Sequence, residues 1–181
     1  MDLNTQAFYL INNGLHNHYL DIIMPHISNC GGLVFYAGIL LILLVLTRKN
    51  IFSLKKYYPL VRLCIFSLIL CVVITACIKI LFSAPRPFVV LGHVNILTSS
   101  VDPNSFPSGH TAITLSLMTV LFLKAKDYFT RAWLVRCLAV FYAFLIGFSR
   151  IYIGMHFPFD VLVGALIGMV SGVVAVRRLK V

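Results

Sequence analysis

Negative charge is what this chain has least of: Asp2, Asp21, Asp102, Asp127 and Asp160 are the five acidic residues among 181. Hard cations such as magnesium need clustered carboxylates, so this scarcity argues against a metal-assisted site. Charge of either sign is sparse, at 11% of residues against 60% hydrophobic, and the mean hydropathy is +0.97. One small water-soluble core cannot hide that much apolar side chain, which excludes an ordinary soluble domain. Repeats, low-complexity tracts and linkers are absent, so a single domain over 1–181 is expected. No lysine or arginine precedes the first apolar run, so a cleaved signal peptide is not expected. Cysteine offers no disulfide framework, because Cys64, Cys71, Cys77 and Cys137 fall inside apolar runs and leave Cys30 alone. The histidines lack thiolate or carboxylate partners at ligand spacing, so neither a metal nor another cofactor is expected.

What the chain does have is long apolar runs, at 31–47, 60–82, 109–123, 132–148 and 159–176. Each approaches the ~20 residues that cross a bilayer, where a lone backbone segment must satisfy its own hydrogen bonds. The expected fold is therefore all-α, a polytopic membrane bundle of about five transmembrane helices. The third run extends to Lys126 if its lysines snorkel to the headgroups. Residues 1–30 are read as short interfacial amphipathic helices lying along the membrane. Asn12, Asn13, Gly14, His16, Asn17 and His18 make a poor bilayer core, although a sixth span there is the alternative.

The basic residues orient the bundle. Arg48, Lys49, Lys55, Lys56 and Arg62 separate the first two runs, Lys124, Lys126, Arg131 and Arg136 separate the third and fourth, and Arg177, Arg178 and Lys180 follow the fifth. All fall on one side of a five-span arrangement, which the positive-inside rule makes cytoplasmic, in a cell (inner) membrane. The net charge of +10 is thus mostly a topology signal. Nucleic acid is not an expected partner, because no aromatic–basic interleaving accompanies the charge. Subtraction leaves Lys79, Arg86 and Arg150, all at the outer ends of runs. A lone lysine at a helix end snorkels, but three cations on the side that avoids positive charge point to function.

Other polar residues share that side. In FPSGHTA (106–112), Pro107 and Ser108 resemble a capped helix start, Gly109 leaves its backbone open to an anion, and His110 sits in the first turn. Taken alone, this is equally an ordinary helix start. In SRIYIGMHFPFD (149–160), His156 and Asp160 are four apart, so on a helix the carboxylate can hold an imidazole N–H and leave the other nitrogen free. Alone, the pair also fits a buried histidine with its partner. Phosphoryl transfer, however, needs charge neutralised on the non-bridging oxygens, a nucleophile in line and an acid for the leaving oxygen. The combined set supplies all of these, and a covalent phosphohistidine route requires no metal.

The set K-x6-RP (Lys79, Arg86, Pro87), PSGH (Pro107, Ser108, Gly109, His110) and SR-x5-H-x3-D (Ser149, Arg150, His156, Asp160) resembles the three-part signature of the type-2 phosphatidic acid phosphatase family, similar to vanadium haloperoxidases in its site. The resemblance spans a helical core over 60–176. It implies that His156 attacks phosphorus with Asp160 orienting it, and that His110 protonates the leaving group and later activates water. Lys79, Arg86 and Arg150 would clamp the phosphate, helped by Ser108 and the Gly109 N–H. Ser149 would brace a helix end, while Pro87 and Pro107 would shape the approaches. The implied ligands are a lipid phosphate or diphosphate and the membrane lipids; protein partners are not specified.

Between the first two motifs, 88–105 reads as a structureless outer lid over the headgroup, on which His93 and Asp102 are either solvated or in touch with substrate. The rival function is an anion transporter using the same cations as a filter, but a filter has no need of a nucleophile–carboxylate pair with a second histidine. Undecaprenyl diphosphate, phosphatidylglycerophosphate, phosphatidate and lipid A phosphates are all family substrates, and phosphotransfer to another lipid is a further outcome. Small size and an outward site resemble bacterial polyprenyl-diphosphate recycling enzymes.

Overall fold

A computed structural model describes residues 1–99 and 103–179 of the chain. Short helices α1 (Leu3–Asn12) and α2 (His18–Asn29) come first, each started by a side chain that accepts an orphan N–H. Asp2 takes the Thr5 N–H at 2.8 Å, and Asn17 takes that of Leu20 at 3.1 Å. Then come α3 (Leu33–Arg48), a 3-10 segment (Ile51–Tyr57), α4 (Tyr58–Leu81), the single turn α5 (Pro87–Val90), α6 (Gly109–Tyr128), α7 (Ala132–Tyr152) and α8 (Pro158–Arg178). α4, α5 and α8 begin with a proline in the first turn, where the missing N–H would have had no intrahelical partner.

Five long helices therefore stand where the five apolar runs lie, and α6 continues beyond Lys126 to Tyr128. By length and apolarity alone, three qualify as spans: α4 with its preceding 3-10 segment, α7 and α8. α3 has 16 residues and qualifies only with α2, as one broken span bent by 52°. This revises the separate interfacial role expected for α2.

α6 misses the apolar threshold because it is the innermost helix. It packs against α4, α7 and α8, and buries Thr111, Thr114 and Ser116 beside Ala112, Ile113, Leu117 and Val120. Those polar groups have protein partners: Thr114 Oγ1 meets Tyr36 Oη at 3.1 Å, and Ser116 Oγ donates to the Ile113 carbonyl at 2.8 Å. The outer helices turn large apolar side chains outward instead, as Val34, Leu41 and Ile42 do on α3 and Phe141 and Phe144 on α7.

The tightest seam joins α6 to α8. Gly164, Gly168 and Gly172, one turn apart, lay α8 directly on the α6 backbone. A Cβ at Gly164 would stand 2.5 Å from the Ser108 carbonyl oxygen, one at Gly168 would overlap the Ala112 carbonyl, and one at Gly172 would stand 2.8 Å from the Ser116 carbonyl. Small residues at such spacing let two helices approach without a driving hydrophobic force.

The segment after α5 is not a structureless lid. Tyr9 Oη donates to the Gly92 carbonyl at 2.7 Å, and Asn13 Nδ2 to that of His93 at 2.9 Å. Asn12, fully buried, donates to the carbonyls of Asn95 and Tyr152 and accepts the Asn95 N–H. Carboxamides on α1 thus pair with a loop backbone that has no ladder of its own. Asp102 and Lys180 lie outside the described residues.

Candidate active site

Alternating helix directions bring the motifs together. Lys79 lies in the last turn of α4 and Arg150 in that of α7, while His110 and Asp160 lie in the first turns of α6 and α8. The nine basic residues from Arg48 to Arg136 named above, with Arg177 and Arg178, sit in or beside the opposite helix ends.

The turn between α7 and α8 carries His156. Met155 and His156 both donate their N–H to the Arg150 carbonyl, and Gly154 takes φ +80°, a left-handed backbone that glycine adopts without strain. His156 therefore precedes α8 and does not share a helix face with Asp160. Its Nδ1 is 3.6 Å from Asp160 Oδ2, too long for a hydrogen bond, and 3.3 Å from Ser105 Oγ. Ser105 Oγ in turn donates to Asp160 Oδ2 at 2.5 Å, and the same oxygen takes the Phe157 N–H at 2.9 Å as a helix cap. Burial pushes the His156 imidazole below its ordinary value, aided by Arg150 and Arg86 and opposed by Asp160.

The cations surround the other ring nitrogen. Arg86 is 4% exposed, donates to the Met155 carbonyl at 2.9 Å and places Nη1 3.4 Å from His156 Nε2. Arg150 is 5% exposed and donates through Nη1 to Ser28 Oγ on α2, while its buried Nε finds no acceptor among the described residues. A buried N–H of a guanidinium left in this way is a ready ligand for an anion's oxygen. Lys79 Nζ donates to the Asn104 carbonyl at 2.7 Å.

The PSGH stretch closes the wall. Ser108 occupies the N-cap position, but its hydroxyl meets Thr111 Oγ1 at 3.0 Å and does not cap the helix as expected. Its N–H donates to the Asp160 carbonyl at 3.0 Å, which joins the second motif to the third. The position a Gly109 Cβ would fill is open space, so an anion can reach this backbone. His110 is half-buried, and its Nε2 would lie 3.5 Å from a Cβ at Gly32, in the corner between α2 and α3.

Of the supporting residues, Ser149 donates within α7 to the Ile146 carbonyl at 2.7 Å, Pro87 starts α5, and Pro107 follows a cis peptide bond. His93 is exposed, at a positive φ on the turn held by α1, and no contact with the other site residues is described for it. Among the described residues, no three His, Cys, Asp or Glu side chains gather as metal ligands.

Three residues of this neighbourhood escaped sequence reasoning. Ser105 and Ser28 are each a single buried serine far in sequence from its partner. Asn104 binds both ends of the α4–α5 connection, donating to the carbonyls of Lys79 and Phe82 and accepting the N–H of Ala84. Only the adjacency of Asn104 and Ser105 to PSGH was available as a signal.

With this geometry in view, the comparisons fall into place. The PAP2 superfamily profile matches residues 60–180. Two curated relatives are 30% identical: the bacitracin transport permease protein BcrC of Bacillus licheniformis, over 94% of this chain and 77% of that protein, and the undecaprenyl-diphosphatase BcrC of Bacillus subtilis, over 94% and 81%. The crystal structure of Aquifex aeolicus LpxE superposes with a TM-score of 0.79 at 34% identity, covering 98% of this chain and 96% of its own. A transmembrane PAP2-type phosphatidylglycerolphosphate phosphatase from Bacillus subtilis shares the fold at TM-score 0.78 and 20% identity, over 97% and 85%. Fold and site thus define a helical membrane phosphatase, a phosphoric ester hydrolase acting on lipid phosphates. The chain belongs to the PAP2 superfamily.

Proposed function

We propose that this protein hydrolyses a lipid diphosphate, with undecaprenyl diphosphate the best fit, at the extracytoplasmic face of the cell membrane through a phosphohistidine on His156. The observation that carries the reading is the opposed environment of the two His156 nitrogens. Nδ1 faces Ser105 and the Asp160 carboxylate, while Nε2 faces the buried Arg86 guanidinium. A bare Nε2 lone pair directed at cationic groups is placed to meet phosphorus once those groups hold its oxygens.

Arg86, Arg150, Lys79 and the Gly109 N–H bind the non-bridging oxygens, with Ser108 shaping the same wall. Nε2 then forms the N–P bond as the bond from phosphorus to the leaving oxygen breaks, and His110 gives that oxygen its proton. Neutral again as a base, His110 activates the water that cleaves the phosphohistidine. The balance of basic residues puts this end of the bundle outside. The relative named undecaprenyl-diphosphatase supports the polyprenyl choice.

Purified protein in detergent should release phosphate fastest from undecaprenyl diphosphate in a panel with phosphatidylglycerophosphate, phosphatidate and a lipid A phosphate. A preference for one of the other three would reassign the substrate, and phosphate recovered on a second lipid would make the protein a phosphotransferase.

A further inference from the structure

We propose that Ser105, outside the three signature motifs, is a positioning residue that relays the Asp160 carboxylate to His156 and fixes which ring nitrogen attacks. The proposal rests on the phosphohistidine reading. Ser105 is fully buried, with Oγ 2.5 Å from Asp160 Oδ2 and 3.3 Å from His156 Nδ1. A hydroxyl has one proton to give and two lone pairs to accept with. An ionised carboxylate only accepts, so the serine proton goes to Asp160, and the oxygen lone pairs are left for the imidazole. His156 must then carry its proton on Nδ1 and donate it to Ser105, which leaves Nε2 bare on the side of Arg86.

The direct path is weaker. Nδ1 and Oδ2 are 3.6 Å apart, and Oδ2 already serves Ser105 and the Phe157 N–H. The carboxylate therefore reaches the ring through the hydroxyl. When Nε2 bonds to phosphorus the ring becomes cationic, and the charge is answered through the chain from Nδ1–H to Ser105 Oγ and from Ser105 Oγ–H to Asp160; no proton need leave it.

Ser105 is also held in place. Its N–H donates to the Ala84 carbonyl at 2.7 Å, and its neighbour Asn104 anchors to Lys79 and Phe82. The segment bearing the relay is thus fastened to the stretch that carries Lys79 and Arg86, so the phosphate clamp and the nucleophile share one support.

Ser105→Ala removes the hydroxyl without adding bulk. It should lower kcat roughly 10- to 100-fold with little change in KM, as loss of an orienting partner does elsewhere. In an Asp160→Asn background the same substitution should cost less than about threefold, because the relay has lost its far end. Nitrogen-15 spectra of labelled histidine, with His156 assigned by difference against His156→Ala, should show one Nδ1–H tautomer in the wild type and a mixture in Ser105→Ala. An unchanged kcat, additive losses in the double variant or a single persisting tautomer would each overturn the relay. If Ser105→Ala does not fold, Ser105→Cys, which keeps a weaker donor, carries the same measurements. Retained turnover in His156→Ala would instead sink the phosphohistidine reading itself, whereas a dead His156→Ala with a fully active Ser105→Ala would sink the relay alone.

Discussion

His156 is 2% exposed, with Ser105 against Nδ1 and Arg86 beside Nε2, whereas His110, half-buried in the first turn of α6, makes no hydrogen bond among the described residues. The same side chain is clamped in one place and loose in the other, less than a site's width apart in function. A nucleophile gains from a fixed lone pair, because misplacement by about 1 Å costs rate heavily. A group that first serves a leaving oxygen and then a water gains from freedom to follow both. The difference in restraint between the two rings is thus what their proposed roles require.

The comparison breaks most visibly at His156. Its replacement by alanine should lower phosphate release from a lipid diphosphate by roughly four orders of magnitude or more, with no labelled phosphoenzyme trapped on quenching. His110→Ala should cost about 10²- to 10⁴-fold on the lipid, but much less on an aryl phosphate whose leaving oxygen needs no proton. Equal losses on both substrates would remove the distinction between the rings.

Ser28→Ala frees the Arg150 guanidinium from its partner on α2 and should weaken vanadate inhibition about tenfold, as expected for one charge-assisted hydrogen bond. An unaltered inhibition constant would show that α2 does not orient this arginine. A milder test lies in pH. Burial holds His156 below its ordinary value, so its lone pair survives acidification, and kcat/KM should fall less than about twofold from pH 7.5 to 6. A steep acid limb near 6.5 would point to an ordinary, exposed imidazole instead. The smallest effect is expected from EDTA, which should leave turnover unchanged; loss restored by magnesium would replace the histidine route with a metal-assisted one.

Much of this architecture is legible in the residues themselves. Apolar runs placed α3, α4, α6, α7 and α8, and subtracting the basic loop residues singled out Lys79, Arg86 and Arg150 before any resemblance entered. Hydropathy underrates α6 because a helix surrounded by protein can carry Thr111, Thr114 and Ser116, provided each finds a partner. Spacing suggested that Asp160 holds His156 directly. It misses because the helix begins at Pro158, which leaves the histidine on the preceding turn and opens a gap that Ser105 fills. Ser28 and Ser105 gave no pattern, being isolated serines whose roles arise from contacts 122 and 51 residues away. The recurrence of glycine at 164, 168 and 172 was a readable sign of the α6–α8 seam that hydropathy alone passes over.

That seam has a mechanical consequence. Where α8 meets α6 the contact is main chain on main chain, with no rotamers to rearrange, and at its upper end Ser108 is bonded to Asp160. The two helices therefore act as a stiff caliper whose jaws hold the second and third motifs at a set separation. Bilayers differ in thickness and lateral tension, and helices answer by tilting or sliding. Here such adjustments fall on the looser, lipid-facing α3 and α7, while the gap across which phosphorus must pass stays constant, so the chemistry is insulated from the elasticity of the membrane around it.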